Sequence, residues 1–156
     1  MKRRHIALLF AFFLPAVIGA TVHDAHAALG EPAASIAKDS KALSAVRRTT
    51  TSRSNFTVQT IVSGANTVRE YVSPAGIVFA IAWNGLSHPD LTPLLASYAD
   101  EYRQALKQTP RRPGRRYLQV KGNKVVVEKW GHMRNLQGRA YVPALIPTGV
   151  SVDEIK

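Results

Sequence analysis

The sequence contains no cysteine, few acidic residues and only two histidines beyond residue 27. The lack of cysteine excludes disulfides, thiol catalysis and lipid attachment to an N-terminal cysteine. Because 21 Lys and Arg residues stand against 10 Asp and Glu, the formal net charge is +11. This basic excess favours partners with negatively charged surfaces, such as nucleic acid, lipid head groups or acidic polysaccharide, without choosing among them.

The N-terminus has the three parts of a secretory signal peptide. A basic start at residues 2–4 is followed by an apolar run over residues 6–18. The small-x-small sequence Ala25-His26-Ala27 then predicts cleavage after Ala27. A membrane-spanning helix needs about 20 apolar residues, whereas this run is shorter and contains Pro15. We therefore predict an exported protein, periplasmic or extracellular, that is not an integral membrane protein after cleavage.

The rest of the chain, residues 28–156, is long enough to bury a core of its own. Without the leader it keeps 18 basic and 9 acidic residues. Residues 31–46 predict a weak helix with a thin apolar face. The polar sequence of residues 47–54 predicts a linker or an extended arm. We expect residues 55–156 to form a single α+β domain.

Apolar periodicity predicts the strands of that domain. The continuous apolar run at 77–83 indicates a central strand that is buried on both faces. Gly122-Asn123 is typical of a two-residue hairpin turn. The other predicted strands cover residues 56–62, 67–72, 117–120, 124–130 and 138–145.

A single firm helix is predicted between these strands. Asp90 can cap its start, and Pro110 stops it. An apolar stripe follows from the three- and four-residue spacing of Leu91, Leu94, Leu95, Tyr98, Tyr102, Ala105 and Leu106. The predicted α+β fold is therefore an antiparallel sheet of about five to six strands, with one main amphipathic helix packed on it and a weak N-terminal helix.

Several longer stretches resemble a known family. They include Val-Arg-Glu-Tyr-Val-Ser-Pro-Ala-Gly at 68–76, Val-Phe-Ala-Ile-Ala-Trp at 78–83, and the segments 89–91, 131–134, 138–143 and 147–151. On these residues the sequence resembles domain-of-unknown-function family 2844, short exported proteins of proteobacteria. The resemblance implies export and a bacterial source. It implies no activity.

The strongest polar motif is a basic loop. Arg111, Arg112, Arg115 and Arg116 lie within six residues, around Pro113-Gly114. Guanidinium groups match phosphate and carboxylate with paired hydrogen bonds, so the loop predicts an anion site. The alternative is a solvated connector that has no ligand.

No motif identifies a catalytic or metal site. His132, in Gly131-His132-Met133-Arg134, could act as a general base or serve a structural or recognition role. His88 has no companions at a metal-site spacing, and Asp90 nearby is better explained as a helix cap. We assign no catalytic residue, metal or cofactor, and we place His132 and Arg134 with the basic loop as candidate binding residues.

Arg69 and Glu70 are neighbours within a predicted strand, so their side chains must point to opposite faces of the sheet. One of them faces the helix side unless the strand lies at an edge. A cross-strand ion pair is one interpretation. A buried glutamate with a raised pKa is the other.

These observations favour a non-enzymatic binding or accessory module of the cell envelope. Its expected partner is an envelope protein or an anionic polymer, and nucleic acid is not expected. One alternative is a small hydrolase or transferase that uses His132. The other is a polyanion-binding protein that uses the 111–116 loop.

Overall fold

The computed structural model describes residues 29–33, 47–64, 66–110, 113–114 and 116–156. Seven strands form one sheet in the order β1-β2-β3-β4-β7-β6-β5. Every neighbouring pair is antiparallel. The strands are β1 (Arg47–Ser52), β2 (Thr57–Ser63), β3 (Asn66–Val72), β4 (Val78–Gly85), β5 (Tyr117–Lys121), β6 (Val126–His132) and β7 (Asn135–Tyr141).

Strand β4 lies at the centre of this order, as its apolar run predicts. All six residues from Val78 to Trp83 are buried. After β4 the chain crosses one face of the sheet as a helical segment and returns at the far edge as β5. Strands β6 and β7 then lead back toward the centre, where β7 pairs with β4.

The helical segment has two parts instead of one. Helix α1 covers Leu91–Leu95, a 3-10 turn covers Ala96–Tyr98, and helix α2 covers Ala99–Gln108. Asp90 caps α1, because its Oδ1 accepts a hydrogen bond of 2.9 Å from the Thr92 backbone N–H. The break lies at Ala96, whose φ of 41° is left-handed. After the break Tyr102 still faces the core, whereas Leu106 from the predicted stripe is 39% exposed.

The two faces of the sheet are covered differently. The helix face packs Val68, Ile81 and Trp83 against Leu94 and Leu95. The other face, which we call the tail face, is covered in part by the C-terminal segment 143–156 (the tail). Its apolar cluster consists of Phe56, Val58, Tyr71, Phe79, Ala80, Ala82, Tyr141 and Ile155.

The α+β class with an antiparallel sheet and one main helical segment is confirmed, but the expected strand number is too low. The difference is β1, where the sequence predicted a linker or arm. Arg47–Ser52 is extended and pairs with β2 along its whole length, so the linker interpretation is wrong. Threonine favours strands, and a polar strand is suited to the exposed edge of a sheet.

Two boundaries also differ from the prediction. The β5–β6 connection spans residues 122–125, because Lys121 pairs with Val126. The Gly122 N–H donates to the Val125 carbonyl at 2.8 Å and closes a longer loop than a two-residue turn. The last strand begins earlier than expected and ends at Tyr141, since Pro143–Leu145 forms a 3-10 turn.

The predicted leader and most of the segment 31–46, predicted as a weak helix, lie outside the described residues. The described N-terminal piece is held firmly: the Leu29 N–H donates to the Leu94 carbonyl at 3.1 Å, and Leu29 is fully buried. In the part of the chain that the structure describes, no helix is long and apolar enough to cross a membrane.

Candidate functional site

Polar side chains occupy the tail face of the four strands β4, β7, β6 and β5. Arg139 of β7 pairs with Glu128 of β6, and Glu128 pairs with Gln119 of β5. Since paired residues of antiparallel strands project from the same face, these three form one row across the sheet. The neighbouring row consists of Asn84, Gln137, Trp130 and Tyr117.

A buried ion pair anchors the first row. Arg139 Nε donates to Glu128 Oε2 at 2.5 Å, and the two side chains are 17% and 5% exposed. Glu128 Oε1 accepts two further hydrogen bonds, from the Tyr117 hydroxyl at 2.8 Å and from Gln119 Nε2 at 2.6 Å. Both oxygens of the carboxylate are therefore engaged, as a buried charge requires.

These contacts shift two pKa values in opposite directions. Burial alone raises the pKa of Glu128, but hydrogen bonds from Arg139, Tyr117 and Gln119 outweigh it and bring the pKa below its ordinary value. The pKa of Tyr117 rises to about 12, because its hydroxyl is desolvated and donates to the Glu128 carboxylate. The ring of Tyr117 is 49% exposed, so the desolvation concerns its hydroxyl end. Glu128 is thus held as an anion and Tyr117 as a neutral donor.

The ion pair also binds the tail. Arg139 Nη1 donates to the backbone oxygen of Val152 at 2.6 Å and to that of Ile155 at 3.4 Å. The Tyr71 hydroxyl donates to the Lys156 backbone oxygen at 2.8 Å and accepts from the Lys156 N–H at 2.9 Å. These bonds fix the end of the tail across the middle of the sheet.

A depression of about 360 Å³, which we call the groove, opens beside this end of the tail. Its polar and aromatic lining consists of Arg69, Trp83, Asn84, Trp130, Asn135, Gln137 and Lys156. Two of the lining side chains, Arg69 and Lys156, are cationic, and none of the lining side chains is acidic. Glu128, in the adjacent row, is already neutralised by Arg139.

Hydrogen bonds between the lining residues orient them. Arg69 Nη1 donates to Asn84 Oδ1 at 2.9 Å and to the Lys156 backbone oxygen at 3.3 Å. Gln137 Nε2 donates to Asn135 Oδ1 at 3.0 Å. Because the two asparagines accept through their oxygens, their NH₂ groups stay available as donors. The groove therefore offers mainly N–H donors and suits a ligand that is rich in oxygen acceptors.

Three of the six predicted binding residues fall outside the described residues: Arg111, Arg112 and Arg115. The other three lie together at one end of the sheet. Arg116 precedes β5, while His132 and Arg134 belong to the β6–β7 hairpin, and all three are exposed. Strand pairing of Tyr117 with Trp130 brings Arg116 next to that hairpin. Asn135 of the same hairpin lines the groove.

The two histidines have different surroundings. Trp83 Nε1 donates to His88 Nδ1 at 3.0 Å. Burial lowers the pKa of His88, and the positive charge of Lys129 lowers it further, so the ring serves as a neutral acceptor. His132 lies opposite Asn135 at the end of β6. A role of His132 as general base stays a prediction.

Arg69 and Glu70 do project to opposite faces. Glu70 is fully buried on the helix face, between Val68 and Val72, while Arg69 reaches the groove. A cross-strand ion pair also occurs between Glu128 and Arg139, two residues that we did not single out from the sequence. Each lies at an alternating strand position, but only knowledge that β6 pairs with β7 would have connected them.

Within the described residues, no group of three or more His, Asp or Glu could hold a metal ion.

Comparison with known proteins gives a single positive result. No curated protein and no solved structure matches the chain. The model of one family, Protein of unknown function (DUF2844), matches residues 25–155. Since this match covers most of the sequence, the chain belongs to the DUF2844 family.

Proposed function

We propose that this chain is an exported, non-enzymatic binding module of the cell envelope, with the groove as its ligand site. The observation that carries the proposal is the convergence of Arg69, Asn84 and Gln137 beside Trp130 in one depression. Hydrogen bonds hold these polar groups in place before any ligand arrives. Such preorganisation reduces the entropy that binding costs.

The charge state of the site supports binding over acid–base catalysis. A general base works best when its pKa is near the working pH. The pKa of Glu128 lies below its ordinary value, and both of its oxygens accept hydrogen bonds. This carboxylate therefore stabilises the arrangement and does not act as a proton acceptor at neutral pH.

Three features support export. The sequence of residues 1–27 has the organisation of a signal peptide. The family match begins at residue 25, close to the predicted cleavage point after Ala27. The described domain also begins nearby, with Leu29 buried in the core.

Envelope components rich in hydroxyl and carboxylate oxygens match the donors of the groove.

The test is cosedimentation of the mature protein with isolated peptidoglycan and, separately, with outer-membrane vesicles. We expect binding to one of these fractions and roughly a 30-fold loss in the double variant Asn84→Ala/Gln137→Ala, because it removes two neutral hydrogen bonds of about 1 kcal/mol each. Gln104→Ala is the matched control, since Gln104 is exposed on α2, away from the groove. Equal binding by the groove variant and the control, or no binding of the wild type to either fraction, would overturn the proposal.

A further inference from the structure

One end of the sheet carries most of the exposed large apolar side chains. Of the four that are exposed among the described residues, Leu86 is 58%, Tyr117 49% and Met133 89% exposed, and all three lie at this end. Leu106, 39% exposed, lies on α2 instead. Exposed apolar groups that gather in one place mark an interaction site more often than scattered ones do.

Strand pairing explains why these three side chains lie together. Gly85 pairs with Leu136, so Leu86 follows directly beside the β6–β7 hairpin, whose loop contains Met133. Tyr117 pairs with Trp130 on the other side of the same hairpin. Strands β4, β7, β6 and β5 are successive in the sheet. At about 4.8 Å between neighbours, the three side chains spread over roughly 15 Å.

Positive charge accompanies the apolar groups. Arg116 and Arg134 are exposed at this end. The segments 85–89, 113–118 and 130–136 contain no Asp or Glu. Nothing on these segments therefore neutralises the two guanidinium groups.

Arg134 lies in the two-residue β6–β7 loop, where tight hairpin turns require a left-handed backbone. Its φ of 66° is left-handed, a conformation that glycine and asparagine adopt more readily than arginine. At the tip of an exposed two-residue loop, nothing about packing requires an arginine.

We propose that this end of the sheet, formed by Leu86, Arg116, Tyr117, Met133 and Arg134, binds the headgroup region of an anionic lipid bilayer. The arginines match lipid phosphates. Leu86 and Met133 gain from entering the apolar boundary beneath the head groups, whereas an acidic polysaccharide or a nucleic acid offers them nothing. Tyr117 contributes the exposed part of its ring, while its hydroxyl stays bonded to Glu128.

This surface is distinct from the groove proposed above as the ligand site. Asn135 lies between them, so a bilayer at the end of the sheet would leave the tail face accessible. The groove variant Asn84→Ala/Gln137→Ala should therefore bind pure phospholipid vesicles as the wild type does. This result separates failure of one proposal from failure of the other.

The test is flotation of the mature protein with vesicles of phosphatidylethanolamine containing one third phosphatidylglycerol, and with vesicles of phosphatidylcholine alone. We expect binding to the anionic vesicles at low salt that weakens as salt is added. Leu86→Ser/Met133→Ser should lower the partition coefficient roughly tenfold or more. Arg116→Gln/Arg134→Gln should lower it by a similar factor, because each basic residue near the surface contributes several-fold.

Leu106→Ser and Arg103→Gln are the matched controls, since both residues are exposed on α2, and each should bind within about twofold of the wild type. If the double variant does not fold, the single variant Met133→Ser tests the apolar contribution, because Met133 is 89% exposed. No binding to anionic vesicles at low salt would overturn the proposal. Vesicle binding that the apolar substitutions leave unchanged would also overturn it. If heparin then binds the protein as strongly as the vesicles do, the surface is a polyanion site.

Discussion

Glu128 and Arg139 show how single residues on separate strands can decide the architecture of a face. Arg139 joins the carboxylate of Glu128 to the backbone of the tail, and its guanidinium lies 5.7 Å from the centre of the Trp130 ring. The ion pair therefore connects the sheet, the tail and the aromatic wall of the groove. A buried pair of this kind is costly to break from one side, since the remaining charge loses its partner.

The first prediction concerns this pair. Glu128→Gln should lower the free energy of unfolding by about 3 kcal/mol, because Arg139 would keep its charge in a site that is only 17% exposed. Urea unfolding of the mature protein measures the change. Asp100→Asn removes the acid of an exposed pair with Arg103 and should shift the urea midpoint little. A similar shift in both variants would contradict the structural role of Glu128.

The second prediction concerns pH and His88. Because burial lowers its pKa in the folded state, the unfolded chain takes up a proton first as the pH falls below about 6.5. The free energy of unfolding should therefore be highest above that pH and decline below it, as linkage requires. His88→Gln keeps an acceptor for Trp83 and should remove this part of the decline. Urea unfolding at several pH values measures both slopes, and equal slopes would show that His88 is not responsible.

At the scale of elements, the helical segment depends on its contacts with the sheet. Helix α1 is only five residues long, too short to be stable alone. Its Leu94 and Leu95 are 2% and 0% exposed and pack on the helix face. The break at Ala96 is tolerated because both parts of the segment still bury apolar side chains, Leu95 before it and Tyr102 after it.

The third prediction tests this packing. Leu94→Ala and Leu95→Ala should each lower the free energy of unfolding by about 2–5 kcal/mol, through lost burial and the cavity left behind. Arg103→Ala, on the exposed side of α2, should cost far less. Thermal and urea unfolding of the three variants gives the comparison. Small and equal losses at all three positions would refute the packing of α1 on the sheet.

At the scale of the whole molecule, the first and last described segments are both built into the core. Leu29 is fully buried beside Leu94, and Ile155 is fully buried in the apolar cluster of the tail face. The first and last described segments thus cover opposite faces of one sheet.

The fourth prediction concerns processing of the chain. Signal peptidase should cleave after Ala27 and release a mature protein that begins at Ala28. N-terminal sequencing or intact mass of periplasmic or secreted material measures the start. Ala27→Arg, which places a large charged side chain at the cleavage site, should leave the leader attached. Recovery of wild-type protein with Met1 still present in a membrane fraction would refute export with cleavage.

Local patterns in the sequence were sufficient for most of the elements. The apolar run of β4, the alternation in β2 and the cap at Asp90 each depend on residues a few positions apart. The conformations that they favour are therefore readable without knowledge of distant neighbours. The polar strand β1 has no such local pattern, because its threonines become a strand only by pairing with the edge of β2.

Only the tertiary structure decided the site. The β6–β7 hairpin brings Glu128 to Arg139, and the pairing of β4 with β7 brings Asn84 to the distant Gln137 and Trp130. The basic residues and the exposed Met133 were visible in the sequence, but their gathering with Leu86 and Tyr117 at one end of the sheet was not. Which strands become neighbours depends on long-range pairing and on burial shared by the whole core, and no local pattern of residues encodes that choice.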